Sequence, residues 1–194
     1  LIIDTPGINS LIPMSEDEKV TRDILLKESP NAIIQVGDAK NIKRTILITL
    51  QLIEAGLPFI LDLNMIDEAM NRGISINTQR LSEILGVDVI KTIASQKKGT
   101  KELKEALLKT KISSLKVNYG PIIEEYIDKI SQLLPKASIS KRLLSIMILC
   151  EDNSLKEWLK ANIKIETLLK IESLTKECKI RLNDSIHLLI NRAR

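Results

Sequence analysis

The sequence predicts an α/β fold, in which helices cover a parallel sheet, followed by an all-α domain. Up to about residue 110, short apolar runs alternate with amphipathic stretches of helical length, a pattern typical of βαβ units. After the stretch NYGP at 118–121, the apolar residues follow the 3.6-residue period of helices. We therefore place a boundary near residue 115 and expect two domains, 1–114 and 115–194.

The first domain is predicted to begin with a strand-like run, LIID at 1–4, and a turn. A helix should start at Glu16, because Ser15 and Glu18 form an S-x-x-E capping box. Gly56 should end the second helix, since glycine readily adopts the left-handed conformation of a helix C-terminus. Further strands are predicted at 31–38, 57–64 and 87–94, and further helices at 41–56, 77–86 and 99–109.

The second domain should consist of helices alone. Apolar residues between 122 and 134 lie on one helical face. Ser154 and Glu157 form a second capping box, and Asn183 or Asp184 is suited to cap the last helix. Further helices are predicted at about 139–150, 154–162, 164–178 and 183–193.

Composition narrows the classes of function. The 194 residues are 44% hydrophobic and 28% charged, which is ordinary for a folded domain. Aromatic residues make up only 2%, so we expect no nucleic-acid partner that depends on base stacking, and Tyr126 and Trp158 should be core anchors. Cys150 and Cys178 lack a CxxC pattern, which favours free thiols over zinc or disulfides. No apolar run approaches the roughly 18 residues of a membrane span.

Charge is unevenly distributed along the chain. Residues 1–110 carry a net charge of −1 and residues 111–194 carry +5, within a total of +4. The basic excess suggests that the helical half faces an anionic membrane surface. The alternative is that it reflects lysine-rich, solvated helix faces.

The first motif is DTPG, formed by Asp4, Thr5, Pro6 and Gly7 after the first apolar run. Open α/β sheets bind ligands at the carboxyl ends of their strands, where an Asp can hold Mg²⁺ directly or through water. A glycine three residues later lets a backbone N–H approach a terminal phosphate. The alternative is a simple turn that ends a strand.

The second motif is NMID, in which Asn64 and Asp67 follow the predicted strand at 57–64. A carboxylate at this place can accept hydrogen bonds from guanine N1–H and the exocyclic amine, which adenine cannot donate in the same pattern. Asn64 can contact the acceptor edge of the base or brace the loop. The alternative is that Asn64 is only a helix N-cap.

The third motif is the segment Ile93, Ala94 and Ser95, where a predicted strand turns towards a helix. Backbone N–H groups around Ala94 are candidates for contact with guanine O6. Each motif is weak alone, but the three follow successive strand ends in the order expected of one nucleotide site.

The order D-x-x-G, N-x-x-D, x-A-x resembles the translation-factor class of small GTPases. At the level of individual residues, two stretches resemble the ferrous iron transport protein B family of bacteria and archaea. They are DTPGINSLIPMSEDEKVTRDILL and GDAKNIKRTILITLQLIEAGLPFILDLNMIDEA. NMID resembles that family's guanine motif, in which a Met replaces the Lys of most GTPases. The region from YGP onwards resembles its helical spacer domain. The resemblance implies a P-loop GTPase-like sheet followed by an all-α domain.

The resemblance also implies a set of site residues. GTP or GDP would contact Asp4, Thr5, Pro6, Gly7, Asn64, Met65, Asp67, Ile93, Ala94 and Ser95, and Asp4 would serve Mg²⁺ through water. It assigns no catalytic residue. Thr5 stands where the family most often has Leu, and the loop reads IAS where many GTPases have Ser-Ala-Lys.

The family's phosphate-binding loop, G-x-x-x-x-G-K-[ST], is expected upstream of DTPG. None of the seven glycines is followed by Lys, so we expect this sequence to be a truncated segment without P-loop, switch I or transmembrane part. Such a segment by itself should be inactive. The strand that carries the P-loop would lie between 1–4 and 32–36, so we expect Leu1–Ile3 to be poorly paired.

The function implied by the resemblance is that of a cytoplasmic regulatory portion of a ferrous iron transporter. It would bind guanine nucleotide, hydrolyse GTP in the intact parent, and couple hydrolysis to Fe²⁺ uptake through the inner membrane. Its own transmembrane domain, and a homo-oligomer in the membrane, would be its partners. Two alternatives remain at this point: a ribosome-assembly GTPase, which predicts NKxD and an RNA-binding tail, and a nucleotide-independent interaction module.

Overall fold

The computed structural model describes residues 1–12, 16–28 and 30–194. The chain divides into two compact units. We call residues 1–29 with 117–194 the helical unit, and residues 30–116 the sheet unit. The first segment of the chain thus groups by contacts with the C-terminal helices. We keep 1–114 and 115–194 as the proposed division of the sequence into domains.

The sheet unit contains the parallel sheet that the βαβ pattern predicts. Its strands are β1 (Ile33–Asp38), β2 (Phe59–Asn64) and β3 (Val89–Lys91), and they pair in the order β1-β2-β3. The last strand is shorter than predicted, because after Lys91 the chain turns and Ile93 forms an antiparallel bridge with Lys98.

Four helices of the sheet unit flank these strands. They are α2 (Ile42–Ala55), α3 (Ile66–Asn71), α4 (Thr78–Leu85) and α5 (Thr100–Leu107). Helix α2 ends at Gly56, whose φ of 67° is left-handed, as predicted. Helix α3 was not predicted, since six residues are too few to display a helical period.

The strand β2 forms the centre of the sheet unit's core, with Phe59, Ile60, Leu61 and Leu63 fully buried. A buried polar network joins β1 to α2: the Gln35 side chain donates to the Thr45 carbonyl at 2.9 Å, and the Thr49 hydroxyl donates to Gln35 at 2.9 Å. The other face of β1 is open, since Ile34 is 39% and Val36 65% exposed.

The helical unit begins with an extended segment. Residues 1–8 form no strand, so the predicted strand at 1–4 is wrong. Leu1 and Ile2 are fully exposed and have no place in the three-stranded sheet. This agrees with the expectation that Leu1–Ile3 would be poorly paired.

The helices of the helical unit lie close to their predicted bounds. They are α1 (Glu16–Lys27), α6 (Pro121–Leu133), α7 (Lys141–Leu149), α8 (Lys156–Asn162), α9 (Ile165–Leu182) and α10 (Ile186–Ala193). Tyr126 is buried, as expected of a core anchor, whereas Trp158 is only half-buried. Among the helices described, none is both long and apolar enough to cross a membrane.

The predicted helix caps were only partly correct. Helix α1 starts at Glu16 as predicted, but Ser15 of its capping box lies outside the described residues. Ser154 does not cap α8, because Asp152 caps a short 3-10 turn that precedes this helix. Asn183 ends α9 in a left-handed conformation with φ 50°, and Ser185 stands at the N-cap of α10.

Candidate functional site

The carboxyl ends of β1 and β2 lie side by side in the sheet unit. In the parallel register Asp38 is opposite Asn64, and Leu63 is opposite Lys91 of β3. The predicted guanine-motif residues therefore start from the sheet edge at which open α/β folds bind ligands.

Asn64 braces the loop that follows β3. Its Oδ1 atom accepts the backbone N–H of Met65 at 2.9 Å and that of Ala94 at 3.1 Å. Met65, not Asn64, occupies the N-cap position of α3. Of the roles considered from the sequence, the structure shows the loop-bracing one, and it brings the second and third motifs together.

Asp67 lies in the first turn of α3 and is half-buried. Across the described residues, its carboxylate forms no hydrogen bond or ion pair. Neither oxygen of this carboxylate is therefore used by another described residue.

The loop that carries Ile93, Ala94 and Ser95 is closed on itself. Ile93 N–H donates to the Lys98 carbonyl at 3.1 Å, and Lys98 N–H donates back at 3.2 Å. Ala94 N–H is already used by Asn64, and the next residue, Ser95, is exposed. Gly99 ends the loop with φ +78°, and a Cβ there would lie 2.1 Å from the Lys91 carbonyl oxygen.

A buried carboxylate lies beneath this loop. The Thr92 hydroxyl donates to Asp62 Oδ1 at 2.6 Å, and both residues are buried. Burial raises the pKa of Asp62, while the hydrogen bond from Thr92 opposes that shift. Sequence reasoning missed this pair, although an Asp inside the apolar run LDL is a signal that could have revealed it.

Lys40 is a second residue that the motifs did not reveal. It follows β1, and its ammonium lies 3.4 Å from Met65 Sδ and 2.5 Å from Glu68 Oε2. A cation beside NMID could have been suspected only from the adjacency of the two strand ends, which the sequence does not display.

The residues Asp4, Thr5, Pro6 and Gly7 belong to the helical unit and are all exposed. The Pro6 carbonyl accepts the Thr21 hydroxyl of α1 at 3.3 Å. The Asp4 carboxylate has no hydrogen bond or ion pair with any described residue. An added Cβ at Gly7 would meet nothing within 4 Å, so the backbone here is accessible.

Helix α1 joins this loop to the C-terminal helices. Buried Glu18 accepts the N–H groups of Asn9 and Ser10 at 3.0 and 3.1 Å. One turn later, Arg22 donates to Asp152 at 3.3 Å and to the Ser154 hydroxyl at 2.6 Å. Arg22 and Glu18 were not among the predicted functional residues, because their roles depend on contacts distant in sequence.

A preformed metal centre does not occur within the described ranges. No three His, Cys, Asp or Glu side chains of residues 1–12, 16–28 and 30–194 come close enough to hold an ion. His187, the only histidine in the sequence, is paired with Asn191 on α10.

Comparison with known families covers nearly the whole chain. The family model described as "Ferrous iron transport protein B" matches residues 1–107, and the one described as "FeoB cytosolic helical domain" matches residues 119–194.

Curated relatives of the chain point to the same family as the family models. The chain is 39% identical over 136 residues to the Fe(2+) transporter FeoB of Staphylococcus aureus (strain MSSA476), covering 69% of this chain and 20% of that protein. It is 32% identical over 166 residues to a Fe(2+) transport protein A/FeoB fusion protein of Porphyromonas gingivalis, covering 79% and 20%. The chain thus spans about a fifth of the length of these relatives.

Solved structures give the same result. A variant of S. thermophilus NFeoB bound to GDP has a TM-score of 0.84 at 29% identity, covering 98% of this chain and 75% of that one. The cytosolic domain of the T. maritima FeoB transporter in its GMPPNP form has a TM-score of 0.73 at 27% identity, covering 97% and 77%. These matches decide against the ribosome-assembly alternative. The chain belongs to the ferrous iron transport protein B family.

Proposed function

We propose that this chain is the guanine-nucleotide-binding and helical portion of a ferrous iron transporter, located on the cytoplasmic face of the membrane. In the intact protein, GTP binding and hydrolysis here would control Fe²⁺ uptake through a transmembrane domain. The observation that carries the proposal is the pairing of Asn64 with Ala94, together with a nearby residue in the same motif, Asp67, whose carboxylate is not used by any described residue. GDP bound to the S. thermophilus relative supports the choice of ligand.

Guanine selection would rest on Asp67. Its carboxylate would accept the N1–H and the exocyclic amine, both of which are donors in guanine. Asn64 would fix the position of the loop at 93–95, and the backbone N–H of Ser95 would donate to guanine O6. Met65, half-buried beside these residues, would contact the base with its apolar side chain.

The phosphate end would be served by DTPG. Gly7 N–H would approach the terminal phosphate, with Thr5 and Pro6 shaping the turn. Asp4 fits an outer-sphere role for Mg²⁺, because its carboxylate is exposed and available, while Mg²⁺ normally keeps several waters and takes further oxygens from phosphates. When bound, the ion would neutralise developing charge on those phosphates.

Coupling would run along α1. The loop backbone at Pro6, Asn9 and Ser10 is tied to α1 by Thr21 and Glu18. On the same helix, Arg22 is tied to Asp152 and Ser154. A rearrangement of DTPG on GTP hydrolysis would therefore move α1, the helix that is hydrogen-bonded to the C-terminal part of the helical unit. Their basic excess would face the anionic inner leaflet, and a homo-oligomer in the membrane would bring several such units together.

Nucleotide titration tests the proposal. The intact gene product in detergent and the present chain are each titrated with GDP, GTP and ATP by calorimetry. The intact protein should bind GDP and GTP and reject ATP, and Asp67→Asn should abolish the preference for guanine over other purines. An unchanged preference in that variant would refute the guanine assignment. If the intact wild-type protein bound none of the three nucleotides, the alternative of a nucleotide-independent interaction module would be favoured instead.

A further inference from the structure

A positive charge beside the guanine motif comes from a different strand. The residue after Asn64 is Met65, so the motif NMID itself supplies no cation. The surroundings are acidic, with Asp67 and Glu68 in the first turn of α3. Lys40 meets this cluster with its ammonium 3.4 Å from Met65 Sδ and 2.5 Å from Glu68 Oε2.

Lys40 is held in place by the sheet. Asp38, which is opposite Asn64 in the register, accepts the Lys40 N–H at 2.8 Å and the Asn41 side-chain amide at 3.2 Å. These bonds fix the short turn Ala39–Asn41. From it the Lys40 ammonium reaches Glu68 after β2 and also lies 4.0 Å from Asp38 Oδ2. The Lys40 side chain is 14% exposed, against 51% for its partner Glu68.

Because Glu68 is half exposed to solvent, its ion pair with Lys40 adds little to stability, whereas ordering a long lysine side chain costs conformational entropy. The arrangement is better explained by a ligand. A purine that packs on Met65 would bring its electron-rich ring next to the ammonium held at the Met65 sulfur. A cation at the face or edge of such a ring is attracted to it electrostatically.

We propose that Lys40 and Met65 together form a composite guanine-binding element, in which Met65 supplies the apolar contact and Lys40 the charge that the motif lacks. This inference rests on the proposed nucleotide function. Because the element touches the base and not the phosphates, it raises affinity for GDP and GTP by the same factor. In this proposal Asp67 remains the residue that selects guanine over adenine.

The test measures dissociation constants of GDP and GTP for the intact gene product by calorimetry. Lys40→Met should weaken both nucleotides about 5- to 10-fold, the effect of losing a partly desolvated cation–π contact. Lys40→Arg should keep most of the affinity. The control is Lys43→Ala, an exposed lysine two residues into the next helix, which should leave both constants unchanged.

Charge transposition separates this role from a structural one. In the double variant Lys40→Met with Met65→Lys, the charge returns to the motif position, and affinity should recover to within about 2-fold of wild type. Recovery of affinity without a matching recovery of melting temperature supports a ligand contact. If Lys40→Met leaves both dissociation constants unchanged while wild type binds, the assignment of Lys40 is overturned alone. If the wild-type protein binds no guanine nucleotide, both the assignment of Lys40 and the proposed function are refuted.

Discussion

Arg22 of α1 and Asp152, which follows α7, form a buried ion pair with 3.3 Å between Nη1 and Oδ2. The two side chains are only 3% and 2% exposed. The same guanidinium donates to the Ser154 hydroxyl, which in turn donates to Asp152. Residues about 130 positions apart are thus fixed to each other by charge-assisted hydrogen bonds.

Removing Arg22 should destabilise the helical unit strongly. Arg22→Ala leaves the Asp152 carboxylate buried without its charge partner, and breaking such a pair costs about 3–5 kcal/mol. Urea unfolding monitored by the fluorescence of Trp158, the only tryptophan, measures the change. Lys19→Ala, on the same helix, breaks an exposed pair with Glu16 and should cost less than about 1 kcal/mol. Equal decreases in the free energy of unfolding of the two variants would mean that the buried pair contributes no more to stability than an exposed pair.

Replacing Asp62 should stabilise the sheet unit in a pH-dependent way. The raised pKa of Asp62 in the folded state means that the folded chain holds this proton to a higher pH than the unfolded chain. Stability is therefore lost as pH rises from about 4 through the folded pKa. Asp62→Asn removes this loss and keeps an oxygen acceptor for Thr92.

We expect the free energy of unfolding of Asp62→Asn, relative to wild type, to be larger at pH 7 than at pH 4. Urea titrations at both pH values measure it. A difference for Asp62→Asn that is independent of pH contradicts the prediction.

Gly37 is required for α2 to approach β1. An alanine Cβ there would lie 2.3 Å from Thr45 Cγ2, and a β-branched side chain on a helix has little rotamer freedom to escape. Gly37→Ala should cost about 1–3 kcal/mol, and Thr45→Ala in the same chain should recover most of that loss. Thermal unfolding compares these variants with Gly7→Ala, where the new methyl meets nothing within 4 Å. Failure of the second substitution to rescue the first would place the strain elsewhere.

The two thiols should differ in reactivity. Burial raises the pKa of the Cys178 thiol to about 11, so at pH 8 its thiolate fraction is lower than that of an ordinary cysteine by a factor of order 100. Cys150 is only half-buried. Timed iodoacetamide labelling followed by mass spectrometry should modify Cys150 first, with both thiols reacting at similar rates in urea. Rapid native labelling of Cys178 would show that the α9 packing opens readily.

Local sequence signals foretold much of the fold. The alternation of apolar runs and amphipathic stretches correctly predicted β1, β2 and β3 and the helices α2, α4 and α5 between and after them. Gly56 marked a helix end because its left-handed geometry is a local property. The errors arose where tertiary contacts decide. The Ser154 hydroxyl is engaged with Arg22 instead of capping α8, and residues 1–4 lack a strand partner in the sheet.

Contacts around the candidate site could be predicted only in part. The role of Asn64 in bracing the loop was one of the possibilities that its motif offered, and the structure joins Asn64 to Ala94. Lys40 reaches Met65 only because two strands pair in parallel, and Glu18 acts on a loop eight and nine residues upstream. Such relationships depend on register and packing, which sequence spacing does not report.

The open face of β1 has a practical consequence for work with this chain. β1 is an edge strand, and Ile34 and Val36 leave it with exposed apolar side chains. Such an edge is a template for adding strands from other molecules, so concentrated solutions of the chain should self-associate in a time-dependent way. A lysine in place of Val36 would add a charged gatekeeper and extend the useful concentration range for crystallisation or NMR.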